Sequence, residues 1–160
     1  MSQSVRKKEP LWTALLVAGL VAGTLDGTAA VIRFLIKGGT NPLKVFRYIA
    51  SGAFGPDATK GGVGMALWGI LFHYLIAFTF TALFFFLYRM VPFARIKWLN
   101  GILYGVFIWA VMELGVLPLT RVKPFTPTLE SGTIASLILI VCIGLPVSFF
   151  ARNYYKNLRP

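Results

Sequence analysis

The chain has 160 residues, 57% of them apolar and 13% charged, and its 16 Lys and Arg outnumber 5 Asp and Glu to give a formal net charge of +11. With a mean hydropathy of +0.74, that balance excludes an ordinary soluble domain and points to an integral membrane protein. The single cysteine, Cys142, excludes an intramolecular disulfide and a cysteine-based metal site.

The first apolar stretch runs from Leu11 to Ile36, enough to cross a hydrocarbon core of about 30 Å, which takes roughly 20 helical residues. Arg6, Lys7, Lys8 and Glu9 precede it. A basic start, an apolar core and small residues also describe a secretory signal. Apolar sequence resumes past Asp26 through "TAAVIRFLI", however, which favours a span. Gly19, Gly23 and Gly27 stack at four-residue spacing on one face, where another backbone can come close. Asp26 sits beside that face and has two readings: a structural ion pair with Arg33, seven residues on along the same side, or a functional carboxylate inside the bundle.

The next connection is too long for a bare turn. Asn41 can cap a helix that Pro42 opens, since proline at the first helical position leaves no amide unpaired. The helix is expected over 42–51, with Leu43, Phe46 and Ala50 on one face, Lys44, Arg47 and Ser51 on another, and Gly52 ending it. It either lies in the membrane interface with Lys44 and Arg47 at anionic lipid headgroups, or packs on the protein itself. The "GPDATKGG" that follows lacks the preceding strand and the Gly-Lys-Ser/Thr ending of a phosphate loop.

Three further spans follow: Val63 to Tyr88, Trp98 to Leu119 and Gly132 to Ala151. Gly69, His73, Ala77 and Thr81 share a face of the second, and Gly101, Gly105, Trp109 and Glu113 share one of the third. Gly132, Ser136, Gly144 and Ser148 follow a similar spacing in the fourth. The expected fold is all-α: one domain, an integral membrane bundle of four antiparallel transmembrane helices with a short interfacial helix between the first and second. An even number of crossings puts both termini on one side. The ends and the second connection carry nine Lys and Arg against seven elsewhere, which favours termini in the cytoplasm. Basic residues placed at helix ends suit anionic headgroups rather than nucleic acid.

Asp26, His73 and Glu113 each stand fifteen residues from the same expected boundary, about 22 Å of helix, so the three could meet in one layer. Each also has a structural reading, as an ion-paired, internally bonded or solvated group. One histidine without a cysteine makes a poor transition-metal site, and one imidazole offers haem only one axial ligand. No cofactor and no metal is expected.

The runs "AGTLDGTAA", "NPLKVFRYIASGAFG", "GGVGMALWGILFHYLIAFTFTALFFFLY" and "LNGILYGVFIWAVMELGVLPLT" resemble the YagU-like family of small four-span bacterial inner-membrane proteins, a domain of unknown function. The resemblance is clearest from Gly19 to Leu119 and implies an inner-membrane helical bundle with no established activity. No Ser-His-Asp set, His-rich motif or phosphate loop marks an enzyme. Two classes remain: a non-catalytic structural or interaction protein of the envelope, and a proton-linked pathway for ions or a small solute. Four spans are few for the second, so a pathway would call for a homo-oligomer, to which the small-residue faces are suited.

Overall fold

An apolar run with no water beside it must bond every backbone amide internally, so a single segment of this length has the helix as its solution. The computed structural model describes residues 10–90, 97–121 and 128–156, and the basic flanks Arg6, Lys7, Lys8, Arg95 and Arg159 lie outside them. Among the described residues there are helices and turns and no strand. Helix α1 (Leu11–Ile36) ends on Gly38, whose φ of +87° is a conformation that side chains disfavour. Gly39 N–H then donates to the Phe34 carbonyl and Gly38 N–H to the Leu35 carbonyl, each at 3.0 Å, closing the last turn.

Helix α2 (Leu43–Phe54) starts as expected. Pro42 already has helical dihedrals, which makes Asn41 the cap, and its Oδ1 accepts the Leu43 N–H at 3.0 Å. The expected stop at Gly52 is corrected to Gly55, which leaves the helix at φ +90°. Glycine inside a helix costs only about 1 kcal/mol, and the Gly52 carbonyl receives Arg121 N–H at 3.1 Å. Helix α2 docks on the protein rather than lying free. Its Phe46 carbonyl rests on Gly69 of α3 (Val63–Met90), and the Phe54 ring meets Trp68 and Phe72 at 5.7 and 5.8 Å. Arg47 turns inward, its Nη1 donating to the Gly61 carbonyl at 2.6 Å, so only Lys44 of the two expected headgroup contacts stands exposed.

Helices α4 (Trp98–Leu119) and α5 (Leu129–Lys156) complete four helices long and apolar enough to cross a membrane. The fourth span is longer than the expected 132–151 at both ends. Thr128 caps it, Oγ1 accepting Ser131 N–H at 3.2 Å, and Glu130 in the first turn complements the helix dipole. At the far end Tyr154 and Tyr155 pack on Phe85, each with ring centroids 6.2 Å away, which carries the helix past Ala151.

Both α4 and α5 widen to π-helix, over Val111–Val116 and Ile140–Gly144. In each, a proline stands two residues beyond, Pro118 and Pro146. Proline has no N–H for the carbonyl four residues back, and the widened turn absorbs the break. The glycine faces meet other helices. Gly19 lies under the Phe78 ring, while a Cβ on Gly23 would stand 3.2 Å from that of Ala77. A Cβ on Gly101 would fall 2.9 Å from the Leu145 Cα, and one on Gly105 would come 2.8 Å from the Ile140 nitrogen.

Candidate functional site

The four long helices divide into a filled half and an open half. In the filled half Ala14, Ala18 and Ala22 let α1 close onto Phe84 and Phe85, with Tyr104 and Val147 completing the cluster from α4 and α5. The Phe84 and Tyr104 rings meet edge to face at 4.6 Å, and Tyr104 Oη donates to the Phe80 carbonyl at 2.6 Å. Tyr155 Oη ties α5 to the Phe85 carbonyl at 3.0 Å.

Beyond residue 22 α1 still carries small residues at Gly23, Gly27 and Ala30, but charged groups join them at Asp26, Arg33 and, just past its end, Lys37, and the packing opens. These three residues, with Tyr48 of α2 and Trp109 and Glu113 of α4, border a cavity of about 390 Å³. The remaining wall is apolar, from Met112, Ile138 and Leu139 among others. A smaller cavity of about 180 Å³ adjoins it, sharing Asp26, Ala30, Val45, Met112 and Leu139, and includes His73. Asp26 therefore stands where the two meet. The π-helical turn of α4 carries Glu113 in this wall, as such turns often do at functional positions.

The expected meeting of Asp26, His73 and Glu113 is realised only in part. Asp26 lines both cavities, whereas His73 borders the smaller and Glu113 the larger. His73 Nε2 lies 2.8 Å from the Gly23 carbonyl, which requires the proton on Nε2, and its approach depends on Gly27, where a Cβ would stand 3.0 Å from that nitrogen. The proposed Asp26–Arg33 ion pair is not formed. Arg33 Nη2 instead donates to the Ser131 carbonyl at 3.2 Å, tying α1 to the start of α5. Among the described residues no hydrogen bond or ion pair engages Asp26 or Glu113. Nor do any three of His, Cys, Asp and Glu among them gather as metal ligands.

No protein-family model, curated protein or solved structure matches the chain.

Two participants escaped the sequence reading. Burial, and then the charge of Glu113, push the Tyr48 phenol above its ordinary value of 10.0. Trp109 Nε1 is buried without an acceptor. Trp109 shared the Glu113 face in the sequence, and that spacing was the available signal; Tyr48 gave none, because its place depends on how α2 docks. The cavity is thus bordered by two carboxylates, two cations and a phenol on an otherwise apolar wall.

Proposed function

We propose that this protein is a non-catalytic, antiparallel four-helix bundle of the bacterial inner membrane that binds a small amphiphilic ligand in a one-sided cavity, with both termini cytoplasmic. The resemblance to YagU-like proteins and the distribution of Lys and Arg support the placement. The order of contacts along α1, with Gly19 at Phe78, Gly23 at Tyr74 and Gly27 at His73, supports the antiparallel arrangement. The observation that carries the binding reading is that Asp26 and Glu113, neither in a hydrogen bond or close ion pair among the described residues, border a cavity of about 390 Å³ beyond the packed aromatic core. A carboxylate in a membrane costs several kcal/mol unless it meets a partner, so its retention in an open pocket favours a ligand.

The alternative, a proton-linked pathway, draws on Asp26 standing between the cavity of His73 and that of Glu113. In a single chain Phe84, Phe85 and Tyr104 block its continuation. Such a pathway would therefore run between copies of the chain.

Cysteine labelling tests the binding reading. In a Cys142→Ser background, Ala30→Cys, on the wall of both cavities, should react with a membrane-impermeant thiol reagent from the periplasmic side only. Ala18→Cys, fully buried in the filled half, should react from neither side. Reaction of Ala18→Cys would refute the closed half, and silence of Ala30→Cys would refute the pocket.

A further inference from the structure

The charges around the larger cavity have a direction. Asp26 lies deepest on α1, Arg33 stands seven residues further and Lys37 four beyond that, rises of about 10 and 6 Å towards the end of the helix. Glu113 borders the same cavity from α4, beside Tyr48. The opposite charges do not satisfy one another, since no ion pair forms among these residues. Both sets therefore face a cavity whose wall is otherwise mostly apolar.

Resting on the pocket reading above, we propose that the cavity selects a zwitterionic amphiphile, its ammonium group held by Asp26 and its phosphate or carboxylate by Arg33 and Lys37. A purely cationic ligand would leave Arg33 without a counter-charge, and a purely anionic one would leave Asp26 without one. At these half-buried positions an uncompensated charge is costly. Trp109 and Tyr48 also border the cavity, and an aromatic ring face attracts an ammonium group. The apolar side of the cavity, with Met112, Ile138 and Leu139, accommodates a hydrocarbon portion.

Titration of the full-length protein in a non-ionic detergent provides the test, with four ligands: lysophosphatidylethanolamine, lysophosphatidylglycerol, a single-chain alkylammonium and free phosphoethanolamine. The zwitterionic lysolipid should bind about tenfold or more tightly than the two singly charged chains, since each of those forfeits a charge-assisted contact. Asp26→Asn should erase its advantage over lysophosphatidylglycerol, and Arg33→Gln its advantage over the alkylammonium. Lys37→Gln, at an exposed position, should weaken it in the same sense as Arg33→Gln without disturbing the fold. Equal affinity for the three chains, or no loss in Asp26→Asn and Lys37→Gln, would overturn the proposal. Binding of free phosphoethanolamine as tight as that of the lysolipid would identify a soluble solute, and much weaker binding a lipid headgroup; either agrees with zwitterion selection. If Ala30→Cys labels and none of the four binds, the ligand class is wrong while the pocket stands; if Ala30→Cys is silent, the pocket reading itself has failed.

Discussion

Gly69 and Gly64 lie on the same helix, α3, and a methyl group added to each should act in opposite directions. At Gly64 a Cβ meets nothing within 4 Å, so Gly64→Ala keeps only the helix-propensity gain, up to about 1 kcal/mol. At Gly69 the same Cβ collides with the carbonyl group of Phe46, a backbone neighbour that cannot rotate aside. Overpacking of this kind costs about 1–3 kcal/mol. The propensity gain is common to both substitutions and cancels, so Gly69→Ala should fall below Gly64→Ala by the overpacking cost, about 1–3 kcal/mol. Titration of sodium dodecyl sulfate into the protein in mild detergent micelles measures the difference. The functional side is measurable too, because α2 brings Val45, Phe46 and Ile49 to the cavity walls. Relief of the collision by moving α2 outwards should speed labelling of Ala30→Cys. Equal stability of Gly69→Ala and Gly64→Ala would refute the close docking of α2 on α3.

Three further substitutions isolate single contacts. Tyr104→Phe removes the hydroxyl that donates to the Phe80 carbonyl at 2.6 Å and should cost about 1 kcal/mol in the same titration, with the aromatic packing retained. Thr128→Ala removes the cap of α5, which should cost about 1 kcal/mol and accelerate amide exchange in its first turn. Tyr48 sets an alkaline limit: the folded state retains its proton above 10.0, where an unfolded phenol loses it, so the unfolded state binds fewer protons and stability falls as pH rises past that value. Tyr48→Phe should flatten the fall above pH 10.0 in a stability-versus-pH series.

The spans were legible because hydropathy and length are enough to place them: α1 runs over Leu11–Ile36 and the third span over Trp98–Leu119, the bounds read from the sequence. The faces were legible where small residues recur, as at Gly101 and Gly105 against α5. Errors arose where a local signal competed with tertiary contact. Gly52 looked like a helix stop, yet docking of α2 and the bond from Arg121 hold it in the helix. Thr128 offered a readable cap, and hydropathy alone moved the start of the fourth span past it. Asp26 and Arg33 were correctly placed on one side of α1, but helix spacing could not disclose that the Ser131 carbonyl, 98 positions away in the chain, would take the guanidinium. The two π-helical turns were missed altogether, although Pro118 and Pro146 were in view.

The division along α1 explains how an open, charged cavity can persist in so small a protein. Ala18 and Ala22 have no exposed surface, and their small side chains let Phe84 and Val147, likewise fully buried, fill the space between helices. Without water to drive helices together inside a bilayer, such close packing and the interhelical bonds of Tyr104 and Tyr155 are the principal sources of cohesion. Cohesion concentrated there releases the other half from the need to close. Asp26 and Glu113 stand in that half without a hydrogen bond or ion pair among the described residues, and Trp109 Nε1 is buried without an acceptor. Close packing and open cavity thus fall on successive stretches of the same helix: residues 14–22 of α1 carry its alanines into the aromatic core, and Asp26, Ala30 and Arg33 border the cavity.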